Sequence, residues 1–126
     1  MNKEVKDSWL SDLRSGKYEQ GSSRLEKDGK FCCLGLLCLR AVDAGIVGRW
    51  IIDGDVWFGN RGSIASYEVL PPDVYRWAGL DDGNPDVSLT DHMSYSKPGR
   101  YHSLAELNDS GHYDFNAIAD IIEREF

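Results

Sequence analysis

One stretch constrains this chain more than any other. Cys32 to Ala44 holds three cysteines together with Leu34, Leu36, Leu37, Leu39, Ala41 and Val42, and only Arg40 and Asp43 are charged. Its length and its leucine and alanine content favour a helix over a strand, and Gly45 supplies a stop. A helix that is apolar around most of its girth must sit inside a globule. Arg40 and Asp43 mark its solvent side. The rest of the chain therefore has to cover it.

The covering elements are legible in turn. Val5, Trp9, Leu10 and Leu13 recur at helical spacing within residues 3–15, and Gly16 ends that helix. Residues 17–20 read as extended and Gly21-Ser22-Ser23 as loop. Asp28-Gly29, between Arg24–Lys27 and Lys30-Phe31, signals a type I′ hairpin, because both central positions need positive φ. A second hairpin is expected from residues 49–52 and 56–58 around Asp53-Gly54-Asp55, with a third strand over Ile64–Val69. Leu70-Pro71-Pro72 leads into a short helix over Asp73–Ala78, stopped by Gly79. Residues 81–102 are loop-rich, with turns at Asn84-Pro85 and Lys97-Pro98-Gly99 and an isolated strand over Val87–Leu89. Ser103 with Glu106 forms a capping-box pattern for a helix ending at Gly111. Asp114 caps a last helix striped by Phe115, Ile118, Ala119, Ile122 and Phe126. Trp50, Trp57 and Trp77 are core candidates. The expectation is a single α+β domain over residues 1–126: a central buried helix packed on a small antiparallel sheet, with N-terminal and C-terminal helices.

An odd number of cysteines within seven residues does not suggest a disulfide framework, and adjacent Cys32 and Cys33 bridge poorly. Buried free thiols fit a reducing compartment. No run approaches the ~18 apolar residues of a membrane span, and Met1–Asp7 does not resemble a secretion signal. These features lead to the expectation of a cytoplasmic protein. The net charge of −7 is uneven: residues 1–63 carry ten bases and nine acids, residues 64–126 four bases and twelve acids. The acidic half should repel nucleic acid, so DNA binding is not expected, whereas the N-terminal half can host an anion.

Four constellations bear on chemistry. If the central helix starts near Cys32, Cys33 lies in its first turn, where free N–H groups favour a thiolate. The competing reading is a small core residue. No zinc-knuckle spacing relates the three cysteines to His92, His102 and His112, so neither a metal nor a cofactor is expected. Lys17, Tyr18, Gln20 and Arg24, set among Gly16 and Gly21, combine bases for phosphate, an aromatic for stacking and an amide for a base edge. The Gly-Lys-Ser/Thr order of a P-loop is missing. Leu107 to Gly111 before the last helix has an outline of helix-turn-helix, but acids surround it. There Asn108 and Asp109 are expected to close the preceding helix.

Phe31-Cys32-Cys33-Leu34-Gly35-Leu36 and Asp53-Gly54-Asp55-Val56-Trp57-Phe58 resemble papain-like cell-wall amidases, in which a cysteine opens a buried helix. The histidine base those enzymes carry on the next strand is replaced here by Ser63, Ile64, Ala65 and Ser66. More of the chain resembles a family of small uncharacterised bacteriophage and prophage proteins. The matching pieces are Trp9–Gly21 with its Gly-Lys-Tyr-Glu-Gln-Gly, Leu25–Cys38 with its Phe-Cys-Cys-Leu-Gly, Leu70–Leu80, and Leu104–Glu123 with its Leu-Asn-Asp-Ser-Gly. They cover about half the chain, in order. That family usually has an acid just after the third cysteine, where Leu39 and Arg40 stand here.

The resemblance implies a phage accessory protein in an infected or lysogenic bacterial cell. The leading expectation is a non-enzymatic binder that sequesters a host component such as a nucleotide signal of a defence system, through Lys17, Tyr18, Gln20 and Arg24. Two alternatives stay open: a papain-like cysteine hydrolase or transferase using Cys33, and an acidic inhibitor of a host protein. Homo-oligomerisation fits any of the three.

Overall fold

A computed structural model describes residues 1–60, 62, 64–89 and 101–126. His92 and the turn expected at Lys97-Pro98-Gly99 lie outside these residues.

The apolar stretch forms α2 (Cys33–Asp43), in which every residue from Cys33 to Cys38 is buried. Three helices surround it: α1 (Lys3–Arg14), α3 (Pro72–Ala78) and α4 (Leu104–Asp109). The last helix, α5 (Phe115–Glu125), lies against α1 and α4. The chain is thus an α+β protein with N-terminal and C-terminal helices around a buried central one. Its caps are those its side chains dictate. Asn2, Ser103 and Asp114 accept from the N–H groups of Val5, Glu106 and Ala117, each three residues on.

The strands form three small sheets rather than one. In the first, β3 (Lys30–Phe31) lies between β1 (Glu19–Gln20), to which it is parallel, and β2 (Glu26–Lys27), to which it is antiparallel. Asp28 at φ 53° and Gly29 at φ 78° make the expected I′ turn between β2 and β3. The second sheet pairs β4 (Gly48–Ile52) with β5 (Asp55–Gly59) around the two-residue turn Asp53-Gly54.

Three expectations are corrected. Ile64–Val69 forms no strand; it meets β5 through an isolated bridge between Ser66 and Phe58 and through the ring contact of Tyr67 with Trp57. The strand β6 (Asp86–Ser88) is not isolated, since it pairs antiparallel with β7 (Tyr101–Ser103). Trp50, Trp57 and Trp77 are only partly buried, and the tryptophan sealed in the core is Trp9. Trp9 belongs inside because its indole N–H finds a partner there, the Cys33 carbonyl oxygen at 2.8 Å.

Candidate functional site

The N-terminus of α2 presents free N–H groups to the interior, and Cys32 at the cap position supplies no side-chain acceptor. Asn108, buried on α4, supplies one instead. Its Oδ1 accepts from the Cys33 N–H at 3.0 Å and from Gln20 Nε2 at 3.0 Å. Its Nδ2 donates to the Gly21 carbonyl at 2.8 Å and to Asp109 Oδ1 at 3.1 Å. Gln20 Nε2 also donates to the Tyr113 carbonyl at 3.0 Å, and Asp109 Oδ1 accepts from the Ser23 N–H at 3.1 Å. One amide side chain thereby joins β1, the start of α2 and the end of α4. Asn108 does not close its own helix, as its sequence context had indicated. Its long-range partners outcompete the local turn.

Gly35 completes this clasp from the other side. A Cβ there would lie 1.8 Å from the Leu25 carbonyl oxygen, so only glycine lets α2 approach the strand segment so closely.

Beside the clasp lies a cleft of about 600 Å³ between the β2–β3 hairpin and the α4–α5 turn. Gln20, Gly21 and Asn108 form its floor. Arg24, Lys27 and Lys30 line one wall, and Asp109 and Asp114 the other. Lys27 and Lys30 are direct cross-strand partners in the hairpin and both are exposed. Lys30 has Glu19 at 3.7 Å, whereas Lys27 makes no ion pair among the described residues. Arg24 is more committed. Its guanidinium lies 3.4 Å from Asp55 and 3.8 Å from Glu68, donates to the Ser23 carbonyl at 2.8 Å and covers the Tyr67 ring.

The four residues singled out from sequence are thus divided. Gln20 and Arg24 line the cleft. Tyr18 packs edge-on against Phe31 and opens onto a neighbouring groove that shares Gln20 and Asp114. Lys17 is exposed and lines neither. Lys27 and Lys30 went unnoticed because they read as hairpin arms, although a like-charged pair flanking Asp28-Gly29 was visible.

Cys33 is fully buried, and its Sγ faces the Leu104 carbonyl oxygen at 3.7 Å. Burial pushes its thiol well above the usual range, and likewise that of Cys38; Cys32 is pushed up to about 11. This is the opposite of the lowered value expected at a helix N-terminus. Desolvation dominates and outweighs the favourable Leu34 and Cys33 N–H groups, the second of which is also held by Asn108. His102 is buried next to Glu106, with Nδ1 2.8 Å from its carboxylate. Among the described residues no cluster of three His, Cys, Asp or Glu converges on a point where a metal could bind.

A family model described as a domain of unknown function (DUF8296) matches residues 1–126. The chain belongs to that family. Comparison with curated proteins and with solved structures gives no match. In this DUF8296 chain, the segments around Gln20-Gly21, Cys33-Leu34-Gly35 and Asn108-Asp109 meet at the clasp, so their side chains answer first to architecture. No described helix is long and apolar enough to cross a membrane.

Proposed function

We propose that this protein is a non-enzymatic binder of a small anion of the nucleotide class, held in the cleft between the β2–β3 hairpin and the α4–α5 turn. The Lys27–Lys30 pair carries this reading. Like charges directly across a hairpin are destabilising, and an anion seated between them would offset that cost. The cleft volume falls within the range of small-molecule sites. The opposite wall suits the rest of such a ligand, since Asp109 and Asp114 can accept hydrogen bonds from ribose hydroxyls or a base amine. The floor is rigid because Gln20 and Asn108 are each held by two or more hydrogen bonds.

Titration calorimetry with ADP, ADP-ribose and a cyclic dinucleotide tests this. Binding should be lost in the double variant Lys27→Glu, Lys30→Glu. Charge-assisted hydrogen bonds contribute about 1.5–3 kcal/mol each, so losing two should weaken binding by at least about a hundredfold. Absence of heat and of thermal stabilisation with all three compounds would remove the proposal.

The wider setting is a phage accessory protein in the cytoplasm of an infected or lysogenic bacterium, sequestering a nucleotide signal of host defence. Its support is the resemblance of the Gly-Lys-Tyr, Phe-Cys-Cys and Leu-Asn-Asp segments to phage proteins, together with three free, buried thiols. Mass spectrometry of small molecules co-purifying from infected cells tests it; recovery of the protein without any bound nucleotide would argue against it.

A further inference from the structure

The cleft between the β2–β3 hairpin and the α4–α5 turn continues past its own rim. Where Gln20 and Asp114 border it, a second groove of about 270 Å³ opens between the end of α1 and the start of α5. The two voids differ in chemistry. The cleft is lined by charges, amides and glycines, and the one ring among its described lining, Tyr113, is buried. The groove carries Tyr18, Phe115 and Asn116. Tyr18 is half-buried and meets Phe31 at an interplanar angle of 84°, a contact that covers at most one face of its ring. The groove adds no uncommitted cation, since its Arg14 is held by Asp120 and Glu123, both at 2.8 Å. It therefore suits a base and a sugar rather than a second phosphate. A third void of about 260 Å³, beyond Arg24 and Asp109, has no ring among its described lining.

Gln20 stands where cleft and groove meet, and its hydrogen bonding is one-sided. Both Nε2 hydrogens are committed, one to Asn108 Oδ1 and one to the Tyr113 carbonyl, each at 3.0 Å. These bonds fix which way the amide faces. Its Oε1 accepts from no described residue. An acceptor held in place at this junction is matched by a hydroxyl or an amine, which ribose and a base carry and an ionised phosphate does not.

We infer that the ligand is a dinucleotide: two nucleosides joined through phosphate, one in the cleft beside Lys27 and Lys30, the other passing Gln20 to lay its base on Tyr18. This rests on the reading of the cleft as a nucleotide site and narrows its ligand class. A mononucleotide seated in the cleft leaves the groove to water. A base laid on an aromatic ring strengthens binding by about five- to 150-fold.

Titration calorimetry of the full chain with ADP and with pApA, the linear adenylate dinucleotide of similar charge, reads the difference. pApA should bind more tightly than ADP by that factor. Tyr18→Leu keeps apolar packing on Phe31 but removes the ring, and should bring the ratio of the two affinities close to one. Tyr18→Phe keeps the ring and should preserve the ratio. Circular dichroism checks that both variants fold, and the ratio in the unaltered chain stands without them. Equal affinities for the two compounds in that chain, or a ratio that survives Tyr18→Leu, would overturn the inference while leaving the cleft a mononucleotide site. Binding of neither compound would instead sink the reading of the cleft, and this inference with it.

Discussion

Replacing Asn108 by alanine removes four hydrogen bonds at once, and the structure says how unequal their loss is. The Cys33 N–H is fully buried, and Asn108 is the acceptor it uses. Stranding a buried donor costs about 1–3 kcal/mol. The Gly21 carbonyl borders the cleft, where water can replace the lost donor, so its share is about 1 kcal/mol or less. Gln20 keeps the Tyr113 carbonyl as a partner, so its loss is smaller again. The total is about 2–4 kcal/mol, which for a domain of this size lowers Tm by roughly 6–20 °C. Urea denaturation gives the equilibrium value, and calorimetry gives Tm. Asn108→Asp should not rescue, because it retains the acceptor but sets a buried charge against Asp109 and the Gly21 carbonyl. A loss below about 1 kcal/mol would refute the clasp as an organising contact. Gln20→Ala should cost about 1 kcal/mol, and the double variant should be less than additive because the two side chains share a bond.

Three further outcomes follow from the packing. Gly35→Ala should yield insoluble or molten protein, detectable by loss of near-ultraviolet dichroism, because the added carbon collides with the Leu25 backbone and neither element can retreat. The thiols make the fold sensitive to alkali. Their pKa values are raised in the folded state, so their contribution is intact below the unfolded value near 8.5 and is lost as pH rises toward the folded value, about 11 for Cys32. The slope is about 1.4 kcal/mol per pH unit for each thiol; stability measured from pH 8 to 11 should fall steeply, and iodoacetamide at pH 7.5 should label none of the three before unfolding. Finally, burial raises the Asp12 carboxyl even though the Arg40 guanidinium lies 2.7 Å away. Desolvation therefore outweighs the attraction. Asp12→Asn should change stability at neutral pH by under about 1 kcal/mol, whereas Arg40→Ala, which strands the carboxylate, should cost about 2–3 kcal/mol in urea denaturation.

What could be read from the sequence was what neighbours along the chain decide. The apolar run specified α2, Asp28-Gly29 and Asp53-Gly54 specified their turns, and Ser103 and Asp114 act over three residues. Illegible were the features whose partners lie far away. Val87 and His102 are paired across fifteen positions, and no local pattern announces it. Glu106 looked like the second half of a capping box but is drawn instead to His102 on the adjoining strand. Asn108 carried a turn signature, while its partners are 75 and 88 residues earlier. At the site, Gln20 and Arg24 stood out by their residue chemistry, whereas Lys27 and Lys30, which the Asp28-Gly29 turn sets directly opposite each other, read only as hairpin arms.

The reach of the Asn108 amide also sets the order of assembly. While the ribosome still holds the last third of the chain, the hydrophobic segment from Cys33 onward has emerged with its first turn open and its indole-bearing neighbour, α1, lacking the α5 surface it packs on. Synthesis must pass Asn108 before the interior can close, so a nascent chain stalled short of that residue should remain protease-sensitive and chaperone-bound.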